Sequence, residues 1–244
     1  MQFRVVTYNI HKGIGGRDRQ YRPERIIETL AHLEPTIVFL QEVDEDVPRS
    51  NRHHQAEMLA EALDLHHVAY QRNVHLKQGC YGNAILSRVP LKDVENCNLS
   101  VPLKKRRQAL LARCKLSIGE HTRSLLLANM HLGLAGPERT IQLKKLLKHH
   151  LLANAHSETP ILVGGDFNDV WGRLGRKVLE PVGYRNAGGM HRTFPALFPM
   201  RPLDRIYYRG PLHVHHAYAS RTALARVASD HLPLVVEFTL GDKT

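Results

Sequence analysis

No apolar run in the 244-residue chain approaches the roughly 20 residues that a membrane-spanning helix needs, which excludes a transmembrane helix. The N-terminus opens directly on a strand pattern, Phe3 to Tyr8, with no charged-then-apolar leader, so a soluble, cytoplasmic protein is expected. Cysteine is scarce. Cys80, Cys97 and Cys114 are spaced seventeen apart with no C-x-x-C pair, which points to reduced thiols. No Walker lysine loop or G-x-G-x-x-G follows a strand, which argues against nucleotide-driven chemistry. No G-x-S-x-G elbow is present, which argues against a serine acyl-enzyme. Nor is there a Cys/His cluster for zinc. The neighbours in the His-His pairs at 53–54, 66–67, 149–150 and 215–216 should point apart on strand or helix.

Acidic residues are outnumbered as well: 23 Asp and Glu face 34 Lys and Arg, for a formal charge of +11. Such an excess draws a protein to polyanions: nucleic acid, anionic lipid or phosphorylated ligands. With 43% hydrophobic residues the chain can bury a substantial core. No low-complexity linker divides it, so residues 1–244 read as one domain, a monomer by default.

What is present is an alternation of apolar strands and helices. Phe3–Tyr8 is the first strand, running into Asn9-Ile10-His11-Lys12-Gly13 and a flexible loop with Gly15 and Gly16. Pro23 suits the first position of a helix whose stripe is Ile26, Ile27, Leu30 and Leu33, ended by Pro35. Thr36–Leu40 is a buried strand that delivers Gln41-Glu42 at its end. Asn51–Leu63 reads as a helix with Leu59, Ala62 and Leu63 inward, and Tyr81–Ser87 as a strand. Lys104–Arg107 is a basic run before the strand Ala109–Leu116, and Ser124–Asn129 is another strand. Glu138–Leu152 reads as one helix with Leu143, Leu146, Leu147, His150 and Leu151 on its stripe. Short strands follow at Ile206–Tyr208, Val214–Tyr218 and Leu234–Leu240.

The organising stretch is Ile161-Leu162-Val163-Gly164-Gly165-Asp166-Phe167-Asn168. Three branched apolar residues predict a strand covered on both faces. Two glycines mark a bend or a close approach, and a carboxylate and an amide then sit two residues apart. One pattern recurs: Asn9-x-His11-x-Gly13 and Asn129-x-His131-x-Gly133 each end a strand and precede a helix and a second strand ending in an acid. Two such units suggest halves related by a pseudo-twofold, with strand ends converging on one cleft. Asn9, Glu42, His131, Asp166, Asn168, Asp204, Asp230 and His231 all fall at strand ends, where α/β folds build their sites. Oxygen ligands from Glu42 and Asp230 suit Mg²⁺ or Mn²⁺, and the chemistry that remains is metal-assisted attack of water on a phosphate ester.

Asn9, Gln41-Glu42, Tyr81-Gly82-Asn83, His131-Leu132, Gly165-Asp166-Phe167-Asn168, Asp204-Arg205-Ile206 and Ser229-Asp230-His231 stand in the order of the endonuclease/exonuclease/phosphatase superfamily, which the chain resembles from Asn9 to His231. The resemblance implies an α/β, four-layered sandwich, two packed mixed β-sheets flanked by helices. It implies Glu42 as principal metal ligand, with Asn9 and Asp230 completing the shell. Asp166 would orient or deprotonate the attacking water and Asn168 would hold phosphate. Asp204 would fix His231, which would bind the phosphoryl oxygen, while His131 would stabilise phosphate or protonate the leaving oxygen. Tyr81, Asn83 and Arg107 would contact substrate phosphate. Where abasic-site endonucleases carry an acid, this chain has His11, and it has the His131-Leu132 pair they lack. It is therefore nearer the deoxyribonuclease and sphingomyelinase branches. The activity implied is a Mg²⁺- or Mn²⁺-dependent phosphodiesterase, a nuclease acting on DNA or RNA. The rivals are a phospholipid or small-molecule phosphohydrolase, with Leu197-Phe198-Pro199-Met200 as an apolar mouth, and an inactive nucleic-acid-binding module.

Overall fold

The computed structural model describes residues 2–118 and 121–241. The first half runs β1 (Gln2–Asn9), α1 (Pro23–Leu33), β2 (Ile37–Glu45), α2 (Gln55–Ala62), β3 (His67–His75), β4 (Cys80–Ser87), β5 (Leu91–Asn98) and β6 (Gln108–Ile118). The second runs β7 (His121–His131), α3 (Gly136–Leu147), α4 (His150–Ala153), β8 (Ile161–Asp166), α5 (Arg173–Val178), β9 (Arg185–Asn186), β10 (Asp204–Arg209), β11 (Leu212–Ala219), α6 (Ala225–Ala228) and β12 (Leu234–Leu240).

The strands form two six-stranded sheets, ordered β11-β12-β1-β2-β4-β3 and β5-β6-β7-β8-β10-β9. Both are mixed, with a parallel pair at the centre, β1–β2 in one and β7–β8 in the other, and antiparallel strands outside it. The two central β-α-β units are those marked by the repeated Asn-x-His-x-Gly pattern. Alternation explains the layers. In β2, Ile37 and Phe39 join the core between the sheets, while Val38 and Leu40 pack under α1 and α2. In β8, Leu162 faces the other sheet, and Ile161 and Val163 pack toward α3 to α5. A strand buried on both faces must be apolar at every position, so these segments read as continuous runs. The result is the four-layered sandwich that the resemblance implied. Among the described residues no helix is long and apolar enough to cross a membrane.

Several local expectations fail for identifiable reasons. The helix expected over 51–63 begins only at Gln55, because Asn51 and Arg52 take left-handed φ of 54° and 57° after a short 3₁₀ turn at Pro48–Ser50. Ala62 is exposed. The helix expected over 138–152 breaks at His149, whose ψ of 133° is extended, and His150 is exposed rather than on the stripe. The break also turns the two rings together, with centroids 4.6 Å apart and both Nε2 atoms within 3.5 Å of Glu95 Oε2, so this His-His pair does not diverge. The glycine loop after Asn9 is tied down by the Ile14–Tyr21 bridge and an Arg25–Asp18 ion pair. Strands β3 and β5 were not expected at all; each is the outermost strand of its sheet.

Candidate active site

Glu42 does not sit beyond the end of its strand. It lies inside β2, at a bulge where the pairing with β4 skips from Gln41–Asn83 to Val43–Gly82. Strict alternation would have put Glu42 with Val38 and Leu40 on the helix side. Instead the bulge absorbs one residue, Val43 takes the helix-side place, and Glu42, at φ 57°, is released toward the cleft. Gln41 points between the sheets, where its Nε2 donates to Asn129 Oδ1 at 2.8 Å. Asn129 Nδ2 in turn reaches Leu40 O and Ala84 O, both at 2.8 Å. The second asparagine of the repeat is thus a clasp between sheets, whereas the first belongs to the cleft.

Asp166 is the hub of that cleft. Gly164 lets it approach, because a Cβ there would lie 2.7 Å from the Phe39 ring, and Gly165, at φ 131°, would place a Cβ 1.9 Å from Met130 O. The register then sets Asp166 beside both His131 and Asp204. Its Oδ2 faces Asn9 Nδ2 at 3.2 Å, His131 Nε2 at 3.4 Å and His231 Nε2 at 3.8 Å. Its Oδ1 accepts the Asn168 N–H at 2.9 Å, and the Asn168 side chain donates to Leu132 O.

The two histidines are driven in opposite directions. Burial disfavours the His231 imidazolium, but Asp204, accepting from Nδ1 at 2.8 Å, together with Asp166 and Asp230, outweighs it and raises the pKa to about 10. Thr193 Oγ1 donates to the same Asp204 oxygen at 2.5 Å, and the Phe194 ring lies 4.9 Å from His231. For His131, burial and then the Arg107 cation prevail over Asp166 and Glu42, and its pKa falls to about 4. One imidazole is charged and the other neutral around a single carboxylate. Burial also works against the Glu42 carboxylate, but His131, Lys12 and His11 hold its pKa at about 2. At the pH where Glu42 takes up its proton His131 is itself charged, whereas near neutrality the Lys12 ammonium paired with Glu42 Oε2 is the cation that faces it.

Arg107 is 6% exposed, and its Nε has no hydrogen-bond partner; burial lowers its pKa against the pull of Asp166 and Glu42. It is an uncommitted cation beside the two acids. Tyr81 borders the site, with Lys12 Nζ 5.8 Å and Lys105 Nζ 5.0 Å from its ring centre. Asn83 is drawn away from the cleft, its amide NH₂ donating to Gln71 Oε1 at 3.1 Å and Gln108 O at 3.3 Å. Asp230 lies 4.0 Å from His11 Nδ1, and Ser229 Oγ donates to Asn9 O at 2.7 Å. The sequence reading missed the contacts of Lys12, Thr193 and Phe194. Lys12 stood in the Asn-x-His-Lys-Gly stretch; nothing near Thr193 or Phe194 signalled a site.

Asn9, Glu42 and Asp230 carry side-chain oxygens of the kind a hard divalent ion takes, and the half-buried Glu42 carboxylate is paired with a cation, the Lys12 ammonium. At the cleft, Asp166, Asp204 and His231 converge, with candidate ligand atoms all within 4.8 Å of one another.

Residues 6–231 match the Endonuclease/Exonuclease/phosphatase family. The uncharacterized protein YbhP of Escherichia coli strain K12 is 34% identical over 98% of this chain and 96% of its own length. Among solved structures, an endonuclease/exonuclease/phosphatase from Beutenbergia cavernae superposes with a TM-score of 0.83 at 23% identity, covering 98% of this chain and 72% of that one. The mannosyl-6-phosphatase Bt3783 of Bacteroides thetaiotaomicron gives 0.73 at 17% identity, covering 97% and 99%. By sequence across nearly its whole length, and by fold, the chain belongs to the endonuclease/exonuclease/phosphatase family of phosphoester hydrolases.

Proposed function

We propose that the chain hydrolyses phosphodiester bonds with the help of a Mg²⁺ or Mn²⁺ ion held by Glu42, Asn9 and Asp230. The observation that supports this reading is the convergence of Asn9 Nδ2, His131 Nε2 and His231 Nε2 on Asp166 Oδ2, at 3.2, 3.4 and 3.8 Å, with the Glu42 carboxylate 3.9 Å from the other nitrogen of His131. When bound, the ion supplies Lewis-acid polarisation of a phosphoryl oxygen. Asp166, its Oδ1 steadied by the Asn168 N–H, orients the attacking water and accepts its proton. The His231 imidazolium, locked by Asp204 and Thr193, donates through Nε2 to a phosphoryl oxygen as negative charge grows there. His131 donates a hydrogen bond to phosphate, and the oxygen that leaves takes its proton from His131 or from solvent. Arg107 supplies a fixed positive charge that forms no ion pair among the described residues and lies in the field of Asp166 and Glu42. Asn168 and Tyr81 border the phosphate, while Asn83 acts at one remove by bracing β4 against Gln71.

The net charge supports a polyanionic substrate, and a nuclease acting on DNA or RNA satisfies it; so does a hydrolase of anionic lipid headgroups. The test is a hydrolysis panel with Mg²⁺ and with Mn²⁺: plasmid, single-stranded DNA, RNA, phospholipid, inositol phosphates and a soluble generic diester. Cleavage of the generic diester that stops in excess EDTA and returns with added metal is expected. Full activity in EDTA would overturn the metal reading. Turnover of phosphomonoesters alone would put the chain with activities such as the one named for the Bacteroides neighbour.

A further inference from the structure

The exposed large apolar side chains are not scattered. Ten are exposed among the described residues, and Val94, Ile141 and Val182 lie apart on β5, on α3 and ahead of β9. The other seven sit in loops at one end of the sandwich. β7 and β8 finish there, at His131 and Asp166, and β10 starts there opposite Asp166. β6 starts there too, since Ala109 pairs with Met130, and so does β4, where Cys80 pairs with Glu45. That end is the mouth of the catalytic cleft. Leu103 precedes β6, Leu134 follows β7 and Trp171 follows β8. Met190, Phe198 and Met200 precede β10, and Leu76 lies in the turn before β4. Leu103 is wholly exposed, Leu134 is 79% exposed, and Trp171 and Phe198 are each 71% exposed.

Six of the seven tips carry a cation close by. Lys77 follows Leu76, and Lys104 to Arg106 follow Leu103. Arg173, Arg192 and Arg201 stand within two residues of Trp171, Met190 and Met200, and all these cations are exposed. Arg139 Nη1 donates to Leu134 O at 2.5 Å. Apolar tips flanked by Lys and Arg are the chemistry of a surface that dips side chains below the headgroups while its cations meet anionic phosphates. Single-stranded nucleic acid would also meet the cations, but it is gripped by aromatic platforms on which bases stack. Only Trp171 and Phe198 among the seven could serve that way; leucine and methionine tips need hydrocarbon.

We propose that the rim of the catalytic cleft docks on anionic lipid bilayers, presenting the site to phosphodiesters of the headgroup layer. This rests on the phosphodiesterase reading for the substrate, but the docking itself can be measured without it. Trp171 is the chain's single tryptophan, so its emission reports on this rim alone. Vesicles of mixed phosphatidylcholine and phosphatidylglycerol should shift that emission to the blue, and each exposed Lys or Arg at the surface should raise affinity roughly fivefold. A triple variant, Leu103→Ser, Phe198→Ser and Met200→Ser, keeps the reporter and touches no catalytic group. It should bind these vesicles at least about tenfold more weakly, since burying one such side chain is worth about that factor. Its hydrolysis of a soluble diester and its thermal unfolding should match the parent. The proposal is overturned if the variant binds vesicles as the parent does, or if pure phosphatidylcholine serves equally well. It is also overturned if vesicles leave the emission unmoved while a single-stranded oligonucleotide quenches it, which would make the rim a nucleic-acid surface. Failure of the parent on the soluble diester would instead strike the phosphodiesterase reading and leave the docking result standing.

Discussion

The two central β-α-β units share a topology and divide the chemistry. In β1-α1-β2 the acid, Glu42, reaches the cleft because the strand bulges and a non-glycine residue accepts φ 57°. In β7-α3-α4-β8 the acid, Asp166, arrives at the end of a regular strand, and the conformational demand falls on Gly165 before it. The first unit thus presents a carboxylate already paired with a lysine ammonium, a place suited to a cation. The second presents a carboxylate ringed by amide and imidazole donors, a place suited to a water molecule and a phosphate. Like connectivity therefore leaves the function of equivalent strand ends open; one inserted residue in a strand redirects it.

The largest expected effect separates these two acids. Glu42→Ala and Asp166→Asn should each lower kcat by roughly 10³-fold or more, as losses of central catalytic groups do. Raised Mn²⁺ should restore part of the Glu42→Ala loss and none of the Asp166→Asn loss. Steady-state kinetics across a metal titration read the difference, and equal rescue of both would erase the division between the units.

A smaller effect concerns Asp204 and His231, contributed by β10 and the loop before β12. Loss of a preorganised donor costs about 2.7–4 kcal/mol, or roughly 100- to 1000-fold in kcat, with a lesser change in KM. Asp204→Asn should do nearly as much harm as His231→Ala, and the double variant little more than either, because they act as one unit. The pH profile adds a signature. With a folded pKa of about 10, His231 keeps its proton through neutrality, and the activity that depends on it falls only as pH rises toward that value. Removing the Asp204 charge lowers that pKa, so the alkaline limb should move to lower pH in Asp204→Asn. Multiplying losses, or an unmoved limb, would dissolve the dyad.

The smallest effect tests the backbone contrast. Gly165→Ala should destabilise the fold by about 3 kcal/mol, since it combines a φ of 131° with a clash against Met130 O. At position 42 the comparison is Glu42→Gly against Glu42→Ala. Both lose the carboxylate, and the glycine variant should be the more stable by about 1 kcal/mol, because only the alanine pays for a left-handed φ. Denaturant melts of the three proteins decide it, and an alanine variant as stable as the glycine one would deny strain at the bulge.

The strands legible in the sequence were those buried on both faces, such as β2 and β8, which open on the apolar runs Ile37–Leu40 and Ile161–Val163. β3 and β5 were missed because an outermost strand is half solvated. β5 shows one buried residue, Cys97, among eight, and its sequence carries no apolar run. Helix α1 was legible from Pro23 to Leu33 because its stripe and its proline are both local signals. The 138–152 helix was overextended because the turn at His149 has no glycine or proline to announce it.

By itself the sequence determined which segments pair apolar runs with polar ends, and which acids and histidines those ends carry. These are properties of a few consecutive residues, and Gly-Asp-Phe-Asn and Ser-Asp-His state them openly. Only the tertiary structure decided that Glu42 leaves the helix face, that Asn129 clasps the sheets instead of lining the cleft, and that Asn83 turns away. It alone set Asp204 opposite Asp166 and brought Thr193 onto the Asp204 oxygen that His231 also engages. Each of these depends on the register of a strand against a partner remote in the chain, and a shift of one residue would reverse every side chain involved.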